Sequence, residues 1–323
     1  MALLTIAAAL NQALHQEMER DKSVLVMGED VGLNGGVFRI TDGLYKKFGA
    51  DRSIDTPLAE AAIVGSAIGL AMAGMKPVVE IQFDGFVYPA FDHLINHASR
   101  MRTRTRGKLT CPMVVRFPYG GGVRALEHHS ESMETLYIHI PGLKVVCPST
   151  PYDAKGLLIS AIRDPDPVIF MEPKKLYRSL KEEVPEELYE IPLGKARVMI
   201  EGSDVTVIGW GAMIPVILKT HAALSKENIS IEVIDLRTLS PLDTETILAS
   251  VQKTGRCVII QEAPRTLGLA SEISAQIMEH AMQFLKAPVS RVTGFDVIPP
   301  LLKTEDYNIP DEKRLANAIK KIL

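Results

Sequence analysis

Residues 55–75 read Asp55-Thr56-Pro57-Leu58-Ala59-Glu60-Ala61-Ala62-Ile63-Val64-Gly65-Ser66-Ala67-Ile68-Gly69-Leu70-Ala71-Met72-Ala73-Gly74-Met75. Thr56 is a candidate N-cap, and Pro57 suits the first position of a helix, where its missing N–H leaves no acceptor unserved. From Pro57 to Met75 the only ionisable side chain is Glu60. A helix apolar on all sides is a buried helix, so this carboxylate is expected to be buried and its pKa raised. The plainer reading is a first-turn glutamate that complements the helix dipole. Against it, Ala61, Gly65, Gly69 and Ala73 recur every four residues and leave one face without bulk. Each glycine costs up to about 1 kcal/mol of helix propensity. Close approach of another backbone is the compensation such a stripe offers. A glutamate beside a tight interface is a functional-site candidate.

Outward from this helix, short β-rich runs alternate with helical patterns. Strands are expected at Val24–Gly28, Pro77–Phe83, Met113–Phe117, Lys144–Cys147 and Val168–Glu172, with helices over Leu58–Ala73, Phe86–Arg102 and Tyr152–Arg163. An apolar amphipathic helix opens the chain, with Thr5 as its N-cap. Such alternation predicts an α/β fold with a mostly parallel sheet covered on both faces. Residues 181–202 break the rhythm with charges and two prolines, so the boundaries read as a first domain at 1–185, a linker at 186–202 and a second domain at 203–323. In the second, strands are expected at Asp204–Ile208, Ser230–Asp235 and Cys257–Gln261. Helices should begin at Ile214 and Asp243 and cover Ala270–Phe284 and Asp311–Leu323.

Composition narrows the classes. A net charge of −3 gives no reason to expect nucleic acid or an anionic membrane as partner. Cys111, Cys147 and Cys257 are far apart and odd in number, which argues against a disulfide framework or a zinc cluster. No apolar run reaches the roughly 18 residues of a membrane span. A soluble, cytoplasmic protein is the expectation.

The spacing Glu60, Gly65, Gly69 resembles the glutamate-and-glycine signature of thiamine-diphosphate enzymes, with Ser66 at a position usually apolar there. The wider run resembles the beta subunit of 2-oxo acid dehydrogenases: GEDVG at 28–32, DTPLAE at 55–60, PYGGG at 118–122, PGLKVV at 141–146 and DLRTLSPLD at 235–243. It implies a transketolase-like pyrimidine-binding domain followed by a transketolase C-terminal-like domain. It further implies oxidative decarboxylation of a 2-oxo acid (pyruvate or branched-chain) with acyl transfer to lipoyl-lysine.

By this resemblance Glu60 binds a ring nitrogen of the cofactor's aminopyrimidine. Phe86 stacks on the same ring, which without the resemblance reads as an ordinary core phenylalanine. Leu58 and Glu29 match pyrimidine-pocket positions, although Glu29 also reads as a strand-end surface carboxylate. His129, in Glu127-His128-His129-Ser130 after the Gly120–Gly122 loop, matches the family's proton-handling histidine, with His128 as the fallback; titration near neutral pH suits that work. Ala161, Ile162, Asp164 and Asp166 resemble a potassium-holding segment, whose plainer reading is a helix end closed by a proline turn.

The GDG motif that holds diphosphate and magnesium in such enzymes is missing; Asp42-Gly43 and Asp84-Gly85 lack the preceding glycine. The resemblance therefore implies a separate alpha subunit that carries the diphosphate and magnesium, and a tetramer of two alpha and two beta subunits. It also implies docking on a dihydrolipoyl acyltransferase core and its lipoyl domain, with Asp296 as a candidate contact. Gly209-Trp210-Gly211-Ala212 is a weak dinucleotide signal. It lacks the third glycine, and Asp235 stands further on than the roughly 20 residues usual. Arg100, Arg102, Arg104 and Arg106 read as a solvated helix end. A split transketolase, a non-catalytic assembly subunit and a nicotinamide-dependent dehydrogenase are the competing readings.

Overall fold

The computed structural model describes residues 1–323. The chain divides into two compact units, Met1–Tyr119 with Leu136–Leu193, and Gly120–Thr135 with Gly194–Leu323. Residues 120–135, placed in the first domain by the sequence reading, group with the second unit.

In the first unit six strands run in the order Lys144–Val146, Val168–Pro173, Val114–Tyr119, Lys76–Glu80, Val24–Gly28, Ser53–Asp55, each parallel to its neighbour. Three of the six, Val24–Gly28, Val114–Tyr119 and Val168–Pro173, are buried at every position, which is why they read as apolar runs instead of alternating ones. Helices Ile6–Arg20 and Pro151–Arg163 pack together on the sheet, burying Leu10, Leu14, Leu157 and Leu158 in one core. Thr5 caps the first helix, accepting from the Ala8 N–H at 3.3 Å, and Thr150 caps the second from Asp153.

The second unit has its own core and a sheet ordered Ser290–Val292, Cys257–Ile260, Val205–Gly209, Ile231–Asp235, Arg197–Ile200. Only the last strand is antiparallel. It falls inside the stretch expected to be linker, because 197–200 pairs with 233–235 and so becomes sheet edge. No helix is long and apolar enough to cross a membrane.

Two helices differ from expectation. The glutamate helix begins at Glu60 and ends at Met72, and Ala59, not Thr56, is its N-cap. The continuous helix expected over 86–102 is four short pieces: 3-10 turns at Asp84–Ala90 and Ala98–Arg100, and helices Phe91–Asn96 and Met101–Arg104. Pro89 accounts for the first break, since it supplies no N–H to continue a ladder.

Candidate functional site

In open parallel sheets, ligands bind beyond the carboxyl ends of the strands. Three neighbouring strands of the first unit end at one place. Val24–Gly28 runs into Glu29, Ser53–Asp55 into Thr56, Leu58 and Glu60, and Lys76–Glu80 toward Phe86. The topology thus gathers the residues that the sequence reading singled out for the pyrimidine.

Gly28 makes the first turn possible. Its φ is +156°, and a Cβ there would stand 2.4 Å from the Glu80 carbonyl oxygen. The chain leaves the strand directly into Glu29, and Asp55 ties down the following loop by accepting from Gly32 N at 2.6 Å and Leu33 N at 3.2 Å. Glu29 has its pKa raised, first by burial and then by the negative charges of Asp30 and Glu60. The Glu60 carboxylate therefore lies near enough to Glu29 for its charge to add to the rise in the Glu29 pKa.

Glu60 itself is half-buried, not enclosed as expected from the apolar helix. The reason is visible along the helix. Ile63, Val64, Ala67, Ile68 and Ala71 face the core, while Ala62, Ser66, Gly69, Met72 and Ala73 lie open. Ser66 turns its hydroxyl back to the Ile63 carbonyl at 3.1 Å, which satisfies it on the open side. Leu58 is 68% exposed, and Leu33 on the loop after Glu29 is 77% exposed. Phe86 is half-buried and meets Phe83 edge-on at 5.8 Å, with Phe38 and Tyr177 continuing the aromatic row. Thr56 has a buried hydroxyl without a hydrogen-bond partner. Exposed leucines, an aromatic row, two carboxylates and an orphaned hydroxyl are groups that would suit a flat, partly apolar heterocycle with ring nitrogens. The aminopyrimidine of thiamine diphosphate is such a group, and these residues fit it.

His129 lies in the second unit, on a 3-10 turn Glu127–His129. It is half-buried, while His128 is exposed with Nδ1 4.0 Å from the Glu131 carboxylate. Two acids that sequence reasoning missed anchor the loop before it. The buried Glu262 accepts from the Gly121 N–H, and the buried Glu305 accepts from the Arg124 N–H at 2.9 Å. Gly121 is needed for this approach, because a Cβ would come within 2.6 Å of Glu305 Oε1. Neither acid has a local signal, since each reaches the loop across more than a hundred residues.

The segment read for potassium is otherwise engaged. Lys144 Nζ holds Asp164 at 2.7 Å, Arg102 holds Asp166 at 2.8 and 3.1 Å, and the Asp164 N–H donates to the Ala161 carbonyl at 3.3 Å. Ile162 is a buried core residue. Carboxylates already neutralised by cations do not fit a further one, and the segment has the geometry of a closed helix end. Of the arginine run, Arg102 is thus paired, while Arg100 donates to the Ile95 carbonyl at 2.9 Å. Asp296 accepts from Thr266 N and Oγ1, both at 2.8 Å, and these bonds keep its pKa low. Gly209 ends a strand against Ile217, where a Cβ would collide at 2.6 Å, so its role is packing.

Comparison with known proteins shows the family. Residues 3–179 match the transketolase pyrimidine-binding domain and residues 194–315 the transketolase C-terminal domain. The pyruvate dehydrogenase E1 component subunit beta of Acholeplasma laidlawii is 54% identical over 100% of this chain and 98% of its own length. The corresponding subunit of Bacillus subtilis strain 168 is 52% identical over 100% and 99%. A solved structure described as a split gene transketolase, inactive beta4 tetramer, superposes with a TM-score of 0.82 at 22% identity, covering 100% of this chain and 99% of that one, which speaks for the fold. The chain belongs to the transketolase-like thiamine-diphosphate enzymes, in the family of beta subunits of 2-oxo acid dehydrogenase E1 components.

Proposed function

We propose that this chain forms, with an alpha subunit, the pyruvate-decarboxylating component of a dehydrogenase complex that passes the acyl group to lipoyl-lysine of an acyltransferase. The observation that carries the proposal is the pairing of Glu29 with Glu60 beside the exposed Leu58 and the aromatic Phe86. Identity of about half to pyruvate dehydrogenase beta subunits favours pyruvate over branched-chain acids.

Thiamine diphosphate, when bound, supplies a carbon nucleophile for the 2-oxo group and a sink for the electrons left by carbon dioxide. Glu60 shares a proton with a pyrimidine ring nitrogen. Glu29, its pKa raised by burial and by the charges of Asp30 and Glu60, holds a proton more readily than a free carboxylate. Phe86 and Leu58 hold the ring faces and keep water from them. His129 moves a proton at the substrate end, positioned by the loop that Glu262 and Glu305 grip. The alpha subunit brings the diphosphate and magnesium contacts, and the open small-residue face at Ala62, Ser66, Gly69 and Ala73 receives part of it. No step is assigned to potassium.

The test is pyruvate-dependent reduction of an artificial electron acceptor by the co-purified complex, with and without thiamine diphosphate, alongside branched-chain acids. Cofactor-dependent turnover that collapses in Glu60→Gln is the expected result. Undiminished turnover in that variant means a scaffold role. Transfer of a two-carbon ketol unit with no turnover of any 2-oxo acid means split-transketolase chemistry.

A further inference from the structure

We propose that Asp92, His93 and His97 form a binding site for a divalent transition-metal ion of the zinc class. The three residues each offer one ligand atom, and these atoms all lie within 4.8 Å of one another. No step of the proposed decarboxylation uses them.

The arrangement follows from the break in the chain after Asn96. Helix Phe91–Asn96 is short, and His97 leaves it with φ −123° and ψ −64°. His93 and His97 stand one turn apart, on the same side, and their rings stack with centroids 5.9 Å apart and 30° between planes. Asp92 supplies the third corner. Its Oδ1 accepts from the Asn96 amide at 2.6 Å, which orients the carboxylate and leaves Oδ2 for an ion. Such an outer hydrogen bond is the usual means by which a protein aims a ligating carboxylate. The His93 ring packs over Gly65, whose missing Cβ would meet Nε2 at 3.5 Å, and this contact restrains the ring.

Neither imidazole makes a hydrogen bond or ion pair to the rest of the chain, and the Asp92 carboxylate has no cation beside it. A neutral imidazole pair with one carboxylate is a borderline-soft donor set, suited to Zn²⁺ or Co²⁺ and poorly suited to Mg²⁺ or Ca²⁺, which take all-oxygen sites. Three protein ligands leave a fourth tetrahedral position for water. Asp92 and His97 are exposed and His93 is half-buried, so the ion has a route in from solvent. Bound there, it staples the end of Phe91–Asn96 to the turn that follows it, in the segment that also carries Phe86.

The experiment is titration of the metal-free full-length chain with ZnCl₂ by calorimetry, and with CoCl₂ followed by visible absorption. One equivalent of zinc, a tetrahedral cobalt spectrum displaced by zinc, and no competition from MgCl₂ are expected. His97→Ala and Asp92→Asn should each weaken binding by about tenfold or more, as loss of one ligand from a small set does. Both positions are exposed, so the variants test the site even if His93→Ala fails to fold. Binding in His97→Ala within twofold of the unaltered chain, or the absence of a tetrahedral cobalt spectrum, overturns the proposal.

Discussion

Arg116 grips Glu172 with two parallel hydrogen bonds, Nε to Oε1 at 2.6 Å and Nη2 to Oε2 at 2.8 Å, inside a sheet where neither side chain meets solvent. The same guanidinium reaches Glu80 on the other neighbouring strand, and Tyr177 donates its hydroxyl to Glu172. Burial alone would lower the arginine's pKa; the charges of Glu172 and Glu80 more than reverse this and keep it protonated. Removing the cation leaves two buried carboxylates facing one another. Arg116→Met is therefore expected to cost about 3–5 kcal/mol of unfolding free energy, since breaking a buried pair strands its partner. Urea denaturation of the purified chain measures it, and a loss under about 1 kcal/mol would contradict the account.

Glu17 is the corresponding clamp between two helices. It takes Arg163 at 2.6 and 3.1 Å and Arg20 at 2.9 and 3.2 Å while itself fully buried. Burial pushes its pKa up, but the hydrogen bonds from Arg163 and Arg20 outweigh that and leave it below the usual carboxylate value. The unfolded chain thus binds this proton first as pH falls. The stabilisation is complete above an unfolded value of about 4.3 and is lost as pH drops through the depressed folded one. Glu17→Gln should cost about 2 kcal/mol at pH 7, and the gap should narrow toward pH 3. Thermal melts of both proteins across that range decide; a gap independent of pH would remove the charge from the explanation.

Glu60→Gln keeps size and loses proton sharing. In the assembled complex, turnover is expected to fall by about 10²–10⁴, the usual contribution of a positioned proton-transfer group. His129→Ala should lower it by a similar factor, and the exposed His128→Ala by less than threefold. Equal losses at 128 and 129 would show that the assignment between the two histidines is wrong.

Gly69 lies on the open side of its helix with nothing within 4 Å of a Cβ placed there. Gly69→Leu should leave the isolated chain as stable or slightly more so, since glycine costs up to about 1 kcal/mol in a helix. Association with the alpha subunit should weaken by at least about tenfold, because bulk on a close-packed stripe forces backbones apart. Analytical ultracentrifugation of the mixed subunits reads the result. Unimpaired association would mean that this face stays in solvent.

Glu305→Gln bears on the loop that carries His129. Its carboxylate serves the Arg124 N–H, so weakening that bond should shift the His129 ring resonances in NMR and reduce kcat more than KM. Unmoved resonances would leave Glu305 a merely structural acid.

Much of this protein was legible in its sequence because the signals are local. Buried parallel strands announce themselves as apolar runs, as at Val24–Gly28, and a cap such as Thr5 acts within three residues. The spacing of Glu60, Gly65 and Gly69 lies within three helical turns, so its resemblance to the family could be read without coordinates. The exposure of Glu60 could not. An apolar helix reads as buried all round, and whether its second face meets this chain or solvent depends on what packs there.

The rest was decided by contacts between residues far apart in the chain. Arg116, Glu80 and Glu172 each read as an isolated charge inside an apolar strand, and only adjacent strands bring them together. Residues 120–135 join the second unit because Glu262 and Glu305 hold their backbone, which no run of neighbours encodes. Asp92, His93 and His97 converge where a helix breaks, a place that periodicity extends straight through. Sequence alone determined the order of elements and the chemistry they carry, through short-range propensity and period. Tertiary structure decided which charges are paired and which faces stay open, because burial and electrostatics depend on distance in space and not along the chain.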